Sequence, residues 1–316
     1  MKNDYMSREN TTSVNGLFIL LVFLNHIQSY VTLPEGFHRL TLAFGQLMVA
    51  MFLFYSGYGV TESIKKKGQE YVKSIPVFRA GKVLLMFSVS VLIYTLLDVV
   101  LHISFTPRQF LLSLIGWESM GNSNWYIFVV LCLYLISWIS FSCRNRRISV
   151  LLMGILSLLL YLILREHKPS WWYNTIIAYP IGTYFSLGRE WIRTKEDQKG
   201  VYPVLLISAC LIVFLCKPYA AHGSVHSIMT AAFCIVVLAV TKKIPAYNPV
   251  FYWLGKHLFD IYILMRIPMI VLQPMVHSGI TTLLYFLICF ATTLLLAAGY
   301  HKFWAIVNFS SSRSGR

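Results

Sequence analysis

Long hydrophobic runs follow one another along nearly the whole chain, and short polar segments rich in Lys and Arg separate them. A run of roughly 17–25 apolar residues can cross the hydrocarbon core of a bilayer as one helix. Helices rather than open strands are expected because a backbone in lipid must satisfy its own hydrogen bonds. The pattern predicts about ten transmembrane helices, at residues 14–32, 40–60, 83–101, 125–141, 150–164, 176–187, 202–216, 228–240, 259–276 and 281–300.

The Lys and Arg residues between the predicted helices indicate how the chain is oriented. With the N-terminus in the cytoplasm, the inner segments carry twenty-one of these residues and the outer segments carry five. Cytoplasmic segments of membrane proteins carry the excess of positive charge. We therefore expect an all-α, polytopic helix bundle with cytoplasmic N- and C-termini. We expect a single domain over residues 1–316, with no soluble domain attached, as a multi-pass protein of the plasma membrane.

The composition supports a membrane protein and changes how the charge is interpreted. Hydrophobic residues make up 57% of the chain and charged residues 12%, whereas soluble domains average about 45–50% and about 25%. The net charge of +15 is better explained by loops that orient the protein than by nucleic acid, so membrane lipids are the expected partners. The six cysteines lie mostly in hydrophobic runs without the spacing of metal ligands, so no metal site is expected.

The longest outer segment, between the third and fourth predicted helices, contains Thr106 followed by Pro107. Thr is a favoured N-cap and Pro is favoured in the first turn of a helix. The segment therefore predicts a short helix along the outer interface.

Polar residues inside the predicted helices are candidates for function, because a charged side chain at the bilayer centre costs at least ~2.5–3.5 kcal/mol. His26 lies in the outer half of helix 1, and an imidazole changes its charge near neutral pH. Asn15 lies eleven residues earlier on the same face, about 16 Å away along the axis. The alternative is a structural histidine that forms a hydrogen bond to a neighbouring helix.

Three further charged regions have two interpretations each. Arg266, near the middle of a predicted helix, needs an anionic partner or a ligand, unless its side chain extends to the interface. Lys256 and Asp260 are four residues apart, a spacing that predicts a structural salt bridge. The inner loop 62–82 carries six cations, which either orient the chain against anionic lipid or bind the phosphates of a nucleotide-like donor.

Five short motifs occur in order along the chain. They are residues 8–26 ending in His26, residues 52–58 ending in Ser56-Gly57-Tyr58, residues 78–84 containing Arg79-Ala80-Gly81-Lys82, residues 124–127 beginning Asn124-Trp125, and residues 254–268 containing Leu254-Gly255-Lys256, Tyr262 and Pro268. In this order they resemble the acyltransferase 3 family of integral membrane acyltransferases. The sequence departs from the family pattern at Asn15, where the family usually has Lys or Arg, and at Met265 and Arg266, where many members have His before Pro.

The resemblance implies transfer of an acyl group, with acetyl the leading candidate, from cytoplasmic acyl-coenzyme A to a sugar hydroxyl. Acyl-coenzyme A would be a donor substrate rather than a bound cofactor, and the acceptor would be a cell-surface or lipid-linked glycan, as in O-acetylation of a polysaccharide. The implied roles are catalytic for His26 and Asn15, donor-binding for Arg79, Lys82 and Tyr58, and cavity-lining or charge-compensating for Trp125, Asn124, Arg266 and Asp260.

Two other functions stay open from the sequence. A transporter or flippase without chemistry would use buried Arg266 and Asp260 as its substrate or coupling site. A catalytically inactive scaffold of polysaccharide assembly would be consistent with the loss of the basic residue at Asn15.

Overall fold

A computed structural model describes residues 4–32, 35–196, 198, 200–277 and 281–313. These residues form helices and connecting turns, and no strand occurs among them. The expected all-α, polytopic membrane bundle is thus confirmed.

Fourteen α-helices form the described part of the chain. They are α1 (Arg8–Ile27), α2 (Glu35–Ser74), α3 (Lys82–Val100), α4 (Pro107–Leu114), α5 (Trp125–Ser142), α6 (Arg146–His167), α7 (Ala178–Glu196), α8 (Val201–Cys216), α9 (Gly223–Lys243), α10 (Pro249–Lys256), α11 (Leu258–Leu264), α12 (Arg266–Val271), α13 (Gln273–His277) and α14 (Thr282–Arg313). A π-helix at Ile75–Gly81 joins α2 to α3.

Seven helical runs in the described residues are long and apolar enough to span a membrane. They are Arg8–Ile27, Gly45–Val100, Trp125–Ser142, Arg146–His167, Val201–Tyr219, Gly223–Lys243 and Thr282–Val307. The second and third predicted helices fall in one of these runs. The predicted span 176–187 lies in the more polar α7, and 259–276 is divided among short helices. The number ten and the cytoplasmic termini therefore stay predictions.

The segment 62–82 was expected to be an inner loop, and this expectation is wrong because the segment is helical. Helix α2 continues to Ser74 and bends at Gly68, whose φ of 64° favours glycine. The π-helix follows, with Pro76 near its start and Arg79 near its end. Single π-helical turns occur frequently at functional sites.

The predicted short helix is present as α4, and its place at the outer interface stays a prediction. The Thr106 side chain caps its first turn by accepting a hydrogen bond from the Gln109 N–H at 3.1 Å. Local capping chemistry is therefore sufficient to predict this helix from the sequence.

Two helix crossings bring backbones into direct contact through pairs of glycines. Where α1 crosses α10, a Cβ at Gly16 would overlap the Phe251 carbonyl, and one at Gly255 would overlap the Thr12 carbonyl. Where α2 crosses α7, Gly57 and Gly182 are related in the same way, to the carbonyls of Tyr179 and Phe54. Small residues commonly let membrane helices approach this closely. These two crossings place the residues of the functional site.

The α2–α7 crossing predicts that Gly57→Ala destabilises the protein. The added methyl group would force the two backbones apart, at a cost of about 1–3 kcal/mol. Thermal unfolding of the purified protein in detergent measures the effect as a lower melting temperature.

Gly59→Ala is the matched control, because Gly59 lies two residues away and a Cβ there meets no atom within 4 Å. Its melting temperature should be unchanged or slightly higher, since Ala is the better helix former by about 0.8–1.0 kcal/mol. Equal melting temperatures for the two variants would show that the α2–α7 crossing is looser than described.

Candidate active site

His26 lies in the last turn of α1, and its half-buried ring faces the broken helix formed by α10, α11 and α12. Its ring centroid is 6.4 Å from that of Tyr262, with the two planes at 77°. Among the described residues, neither ring nitrogen of His26 forms a hydrogen bond. The hydrogen bond to a neighbouring helix that the structural alternative requires is thus absent from the described part of the chain.

Arg266 supplies positive charge close to His26. It is the first residue of α12, directly after the break at Met265, and it acts electrostatically on the imidazole. Its Nε donates a hydrogen bond to the Tyr30 hydroxyl at 3.2 Å, and its Cζ lies 5.9 Å from the centre of the Tyr30 ring. No carboxylate in the described part of the chain forms a salt bridge with Arg266. The guanidinium is thus held beside His26, and no carboxylate among the described residues neutralises it.

A column of buried tyrosines extends from His26 into the bundle. The ring centroids of Tyr262 and Tyr126 are 5.3 Å apart, and Tyr134 lies eight residues further along α5 than Tyr126. That spacing corresponds to about 12 Å along the helix axis. Tyr134 in turn contacts Tyr179 of α7, at 6.3 Å between ring centroids. We call Tyr262, Tyr126, Tyr134 and Tyr179 the tyrosine column.

Arg79 lies at the other end of the tyrosine column. Its Cζ is 4.9 Å from the centre of the Tyr134 ring, and its Nη1 donates a hydrogen bond to the Tyr71 hydroxyl at 3.1 Å. Its Nε is buried without a hydrogen-bond partner. Arg79 is therefore oriented by aromatic rings and retains a donor for a ligand.

Serine hydroxyl groups provide hydrogen-bond partners for Tyr134 and Tyr179, the two tyrosines of the column on the side of Arg79. The Tyr134 hydroxyl is 2.9 Å from Ser56 Oγ, and the Tyr179 hydroxyl is 2.8 Å from Ser137 Oγ. Buried polar groups are normally paired in this way. The pairs hold α2, α5 and α7 around the same column.

The other residues expected to bind the donor make their contacts elsewhere. The Tyr58 hydroxyl accepts a hydrogen bond from Arg189, whose guanidinium also pairs with Asp4. Lys82 is exposed and acts electrostatically on Asp260. Among the described residues, no hydrogen bond or ring contact joins either side chain to the Arg79 guanidinium, so their part in donor binding stays a prediction.

The expected salt bridge between Lys256 and Asp260 is wrong. Lys256 Nζ lies over the Tyr252 ring, 4.7 Å from its centre, whereas Asp260 Oδ2 lies 3.0 Å from His301 Nδ1. The physical reason is the break between α10 and α11 at His257, which removes the four-residue register of a continuous helix. Asp260 therefore belongs to another cluster and does not compensate the charge of Arg266.

The remaining predicted residues occupy separate positions. Asn15 is about 16 Å below His26 along α1 and does not contact it, and its Oδ1 is buried without a hydrogen-bond partner. Asn124 donates hydrogen bonds to the carbonyls of Gly116 and Glu118, both at 2.8 Å, and so fastens the loop before α5. Trp125 begins α5 and packs edge-on against Tyr126 at 6.3 Å.

The tyrosine column was not assigned from the sequence. Tyr126 and Tyr262 lie within the motifs of the resemblance, but the sequence analysis gave them no role. The sequence nevertheless contains a signal that could have drawn attention to one of the tyrosines in the column. Tyrosine in membrane helices is enriched at the two interfaces, whereas Tyr134 lies in the middle of the apolar helix α5. In the structure all four rings are almost completely buried.

Comparison with known proteins agrees with the sequence motifs. The sequence profile of the acyltransferase 3 family, described as an acyltransferase domain, matches residues 14–301, nearly the whole chain. Searches of curated proteins and of solved structures return no significant match. The profile match includes His26, Arg266, Arg79 and all four residues of the tyrosine column. The chain therefore belongs to the acyltransferase 3 family and is a membrane acyltransferase.

Proposed function

We propose that the protein transfers an acyl group, with acetyl the first candidate, from cytoplasmic acyl-coenzyme A to a sugar hydroxyl of a cell-surface or lipid-linked glycan in the plasma membrane. One observation carries the proposal. His26 lies beside Arg266, which no carboxylate in the described residues pairs with, and the tyrosine column lies between these two residues and a second arginine, Arg79. The family membership supports acyl transfer as the reaction class.

At His26 the proposed reaction is general-base catalysis. A ring nitrogen takes the proton of the sugar hydroxyl while the hydroxyl oxygen attacks the thioester carbonyl. The new C–O bond forms as the C–S bond breaks, and the proton passes from the imidazole to the departing thiolate. The free ring nitrogens of His26 suit this role because no neighbouring group in the described residues occupies them.

Arg266 is proposed to stabilise the negative charge that develops on the carbonyl oxygen. Preorganised positive groups lower such barriers because they need no rearrangement during the reaction. The Tyr30 hydroxyl and ring hold the guanidinium in place. Arg266 thus provides charge near His26, where Asn15 cannot.

At the opposite end, Arg79 is proposed to bind the phosphates of the donor. The guanidinium is planar and forms paired hydrogen bonds with phosphate oxygens. The long arm of coenzyme A would then extend along the tyrosine column toward His26. The rings offer apolar faces to the arm and hydroxyl groups to its amides.

The two residues on which the transport alternative depended have different partners in the structure. This alternative depended on Arg266 and Asp260 as one site, whereas Arg266 pairs with Tyr30 and Asp260 with His301. The first of the following experiments distinguishes a catalytically inactive scaffold from an active enzyme.

His26→Ala is expected to lower acyl transfer roughly 100- to 10,000-fold, the usual contribution of a general base. The measurement compares the glycans of cells that carry the wild-type protein, the variant or no protein, using mass spectrometry at equal protein level. His102→Ala is the control, because His102 is exposed beyond the end of α3. Acylated glycan at the wild-type level in the His26 variant would contradict the proposed mechanism.

Arg79→Gln is expected to raise the KM for acetyl-coenzyme A by about tenfold or more, since a hydrogen bond to a charged group contributes about 1.5–3 kcal/mol. Arg79→Lys should recover part of the loss. Initial rates of coenzyme A release by the purified protein measure both variants.

Lys66→Gln serves as the control for charge, because Lys66 is an exposed cation of the same helical segment. Its KM should match that of the wild-type protein. An unchanged KM in Arg79→Gln would remove Arg79 from the donor site, even if kcat fell.

A further inference from the structure

A second polar cluster lies near the end of the predicted span 259–276 that is expected to face the cytoplasm. His257, Asp260 and His301 each offer one metal-binding atom, and these atoms all lie within 4.8 Å of one another. Asp260 Oδ2 is 3.0 Å from His301 Nδ1 and 3.7 Å from His257 Nδ1. The two imidazole rings are 4.6 Å apart between centroids.

The fold brings these three residues together from two helical regions. His257 occupies the break between α10 and α11, Asp260 lies in the first turn of α11, and His301 comes from α14. The expectation that the protein has no metal site depended on the cysteines. It did not consider histidines separated by more than forty positions in the sequence.

Two ligand atoms of the cluster have no hydrogen-bond partner. His257 Nδ1 and Asp260 Oδ1 are both buried and unpaired, and the Asp260 side chain is only 3% exposed. A buried polar atom without a partner costs about 1–3 kcal/mol. An ion between the three side chains would give His257 Nδ1 a partner, and it would also satisfy Asp260 Oδ1 when the carboxylate binds through both oxygens.

The cluster must contract to bind zinc, because its three ligand atoms are spread over up to 4.8 Å. Zinc–nitrogen and zinc–oxygen bonds of about 2.1 Å place the ligands of a tetrahedral site roughly 3.4 Å apart. The separations of 3.0 and 3.7 Å on either side of Asp260 bracket that value. The His301 side chain is 54% exposed, so one side of the cluster is not covered by described residues and is open to a further ligand.

The charges around the cluster moderate its affinity. Lys82 acts electrostatically on Asp260, and Lys256 acts on His257. Both oppose a cation, and Asp260 is the one carboxylate of the three. Two imidazoles with a carboxylate favour zinc over calcium or magnesium, which prefer oxygen ligands.

We propose that His257, Asp260 and His301 bind one Zn²⁺ ion, which fastens the break between α10 and α11 to α14. The ion has a structural role, because it fixes the helical segment that continues to Tyr262 and Arg266. The proposal is independent of the acyl donor and acceptor. Binding of zinc can therefore be tested without an activity assay.

The test uses the full-length protein in detergent, freed of any polyhistidine tag and of metal by a chelator. After dialysis against micromolar Zn²⁺, elemental analysis should find one zinc per chain. X-ray absorption at the zinc edge should show two imidazole ligands. Less than about a tenth of a zinc per chain, or a spectrum without imidazole scattering, would overturn the proposal.

Variants locate the site. His301→Gln changes an exposed side chain, so the protein should still fold, and its zinc affinity in competition with a fluorescent chelator should fall at least about tenfold. His257→Gln combined with His301→Gln should abolish binding. His102→Gln, at the other end of the bundle, should leave the affinity unchanged. Equal affinity of the wild-type and double-variant proteins would also overturn the proposal.

Discussion

The contact between the backbones of α1 and α10 is the constraint on which the site depends. Lipid tails are as apolar as the helices, so helices associate through close packing and hydrogen bonds rather than by burying apolar surface from water. Gly16 and Gly255 allow the two backbones to touch, and Ser13 and Asn248 exchange hydrogen bonds beside them. The first half of α1 is fixed to α10 in this way. The last turn of α1 therefore places His26 beside the segment that follows α10.

The interior of the bundle shows how polar groups are accommodated without water. Tyrosine hydroxyl groups pair with serines of neighbouring helices, and the two arginines of the site lie over tyrosine rings. A cation over an aromatic ring gains about 0.5–2 kcal/mol without requiring a carboxylate. Both arginines therefore keep positive charge for an anion that arrives with the substrate. This property joins the packing of the bundle to the proposed chemistry of acyl transfer.

The sequence predicted some of this arrangement and missed the rest for physical reasons. Hydrophobic runs predicted the helical bundle, and Thr106 with Pro107 predicted α4, because both signals are local. His26 and Arg266 were recognised as costly residues in lipid, although 240 positions separate them and their proximity depends on the α1–α10 crossing. The salt bridge of Asp260 failed because a continuous helix was assumed across the break at His257. The helical form of 62–82 was missed because a polar, basic segment resembles a loop, and a π-helix has no simple sequence pattern.

The central claim is that the acyl end of a donor bound at Arg79 reaches His26 along the tyrosine column. Photo-crosslinking with an acyl-coenzyme A that carries a diazirine at the end of a short acyl chain tests it most directly, with labelled peptides mapped by mass spectrometry. The account predicts labels on α1 near His26 and on α11 near Tyr262, and excess acetyl-coenzyme A should suppress them. Labels confined to the outer helix α4, or labels that acetyl-coenzyme A does not suppress, would contradict it.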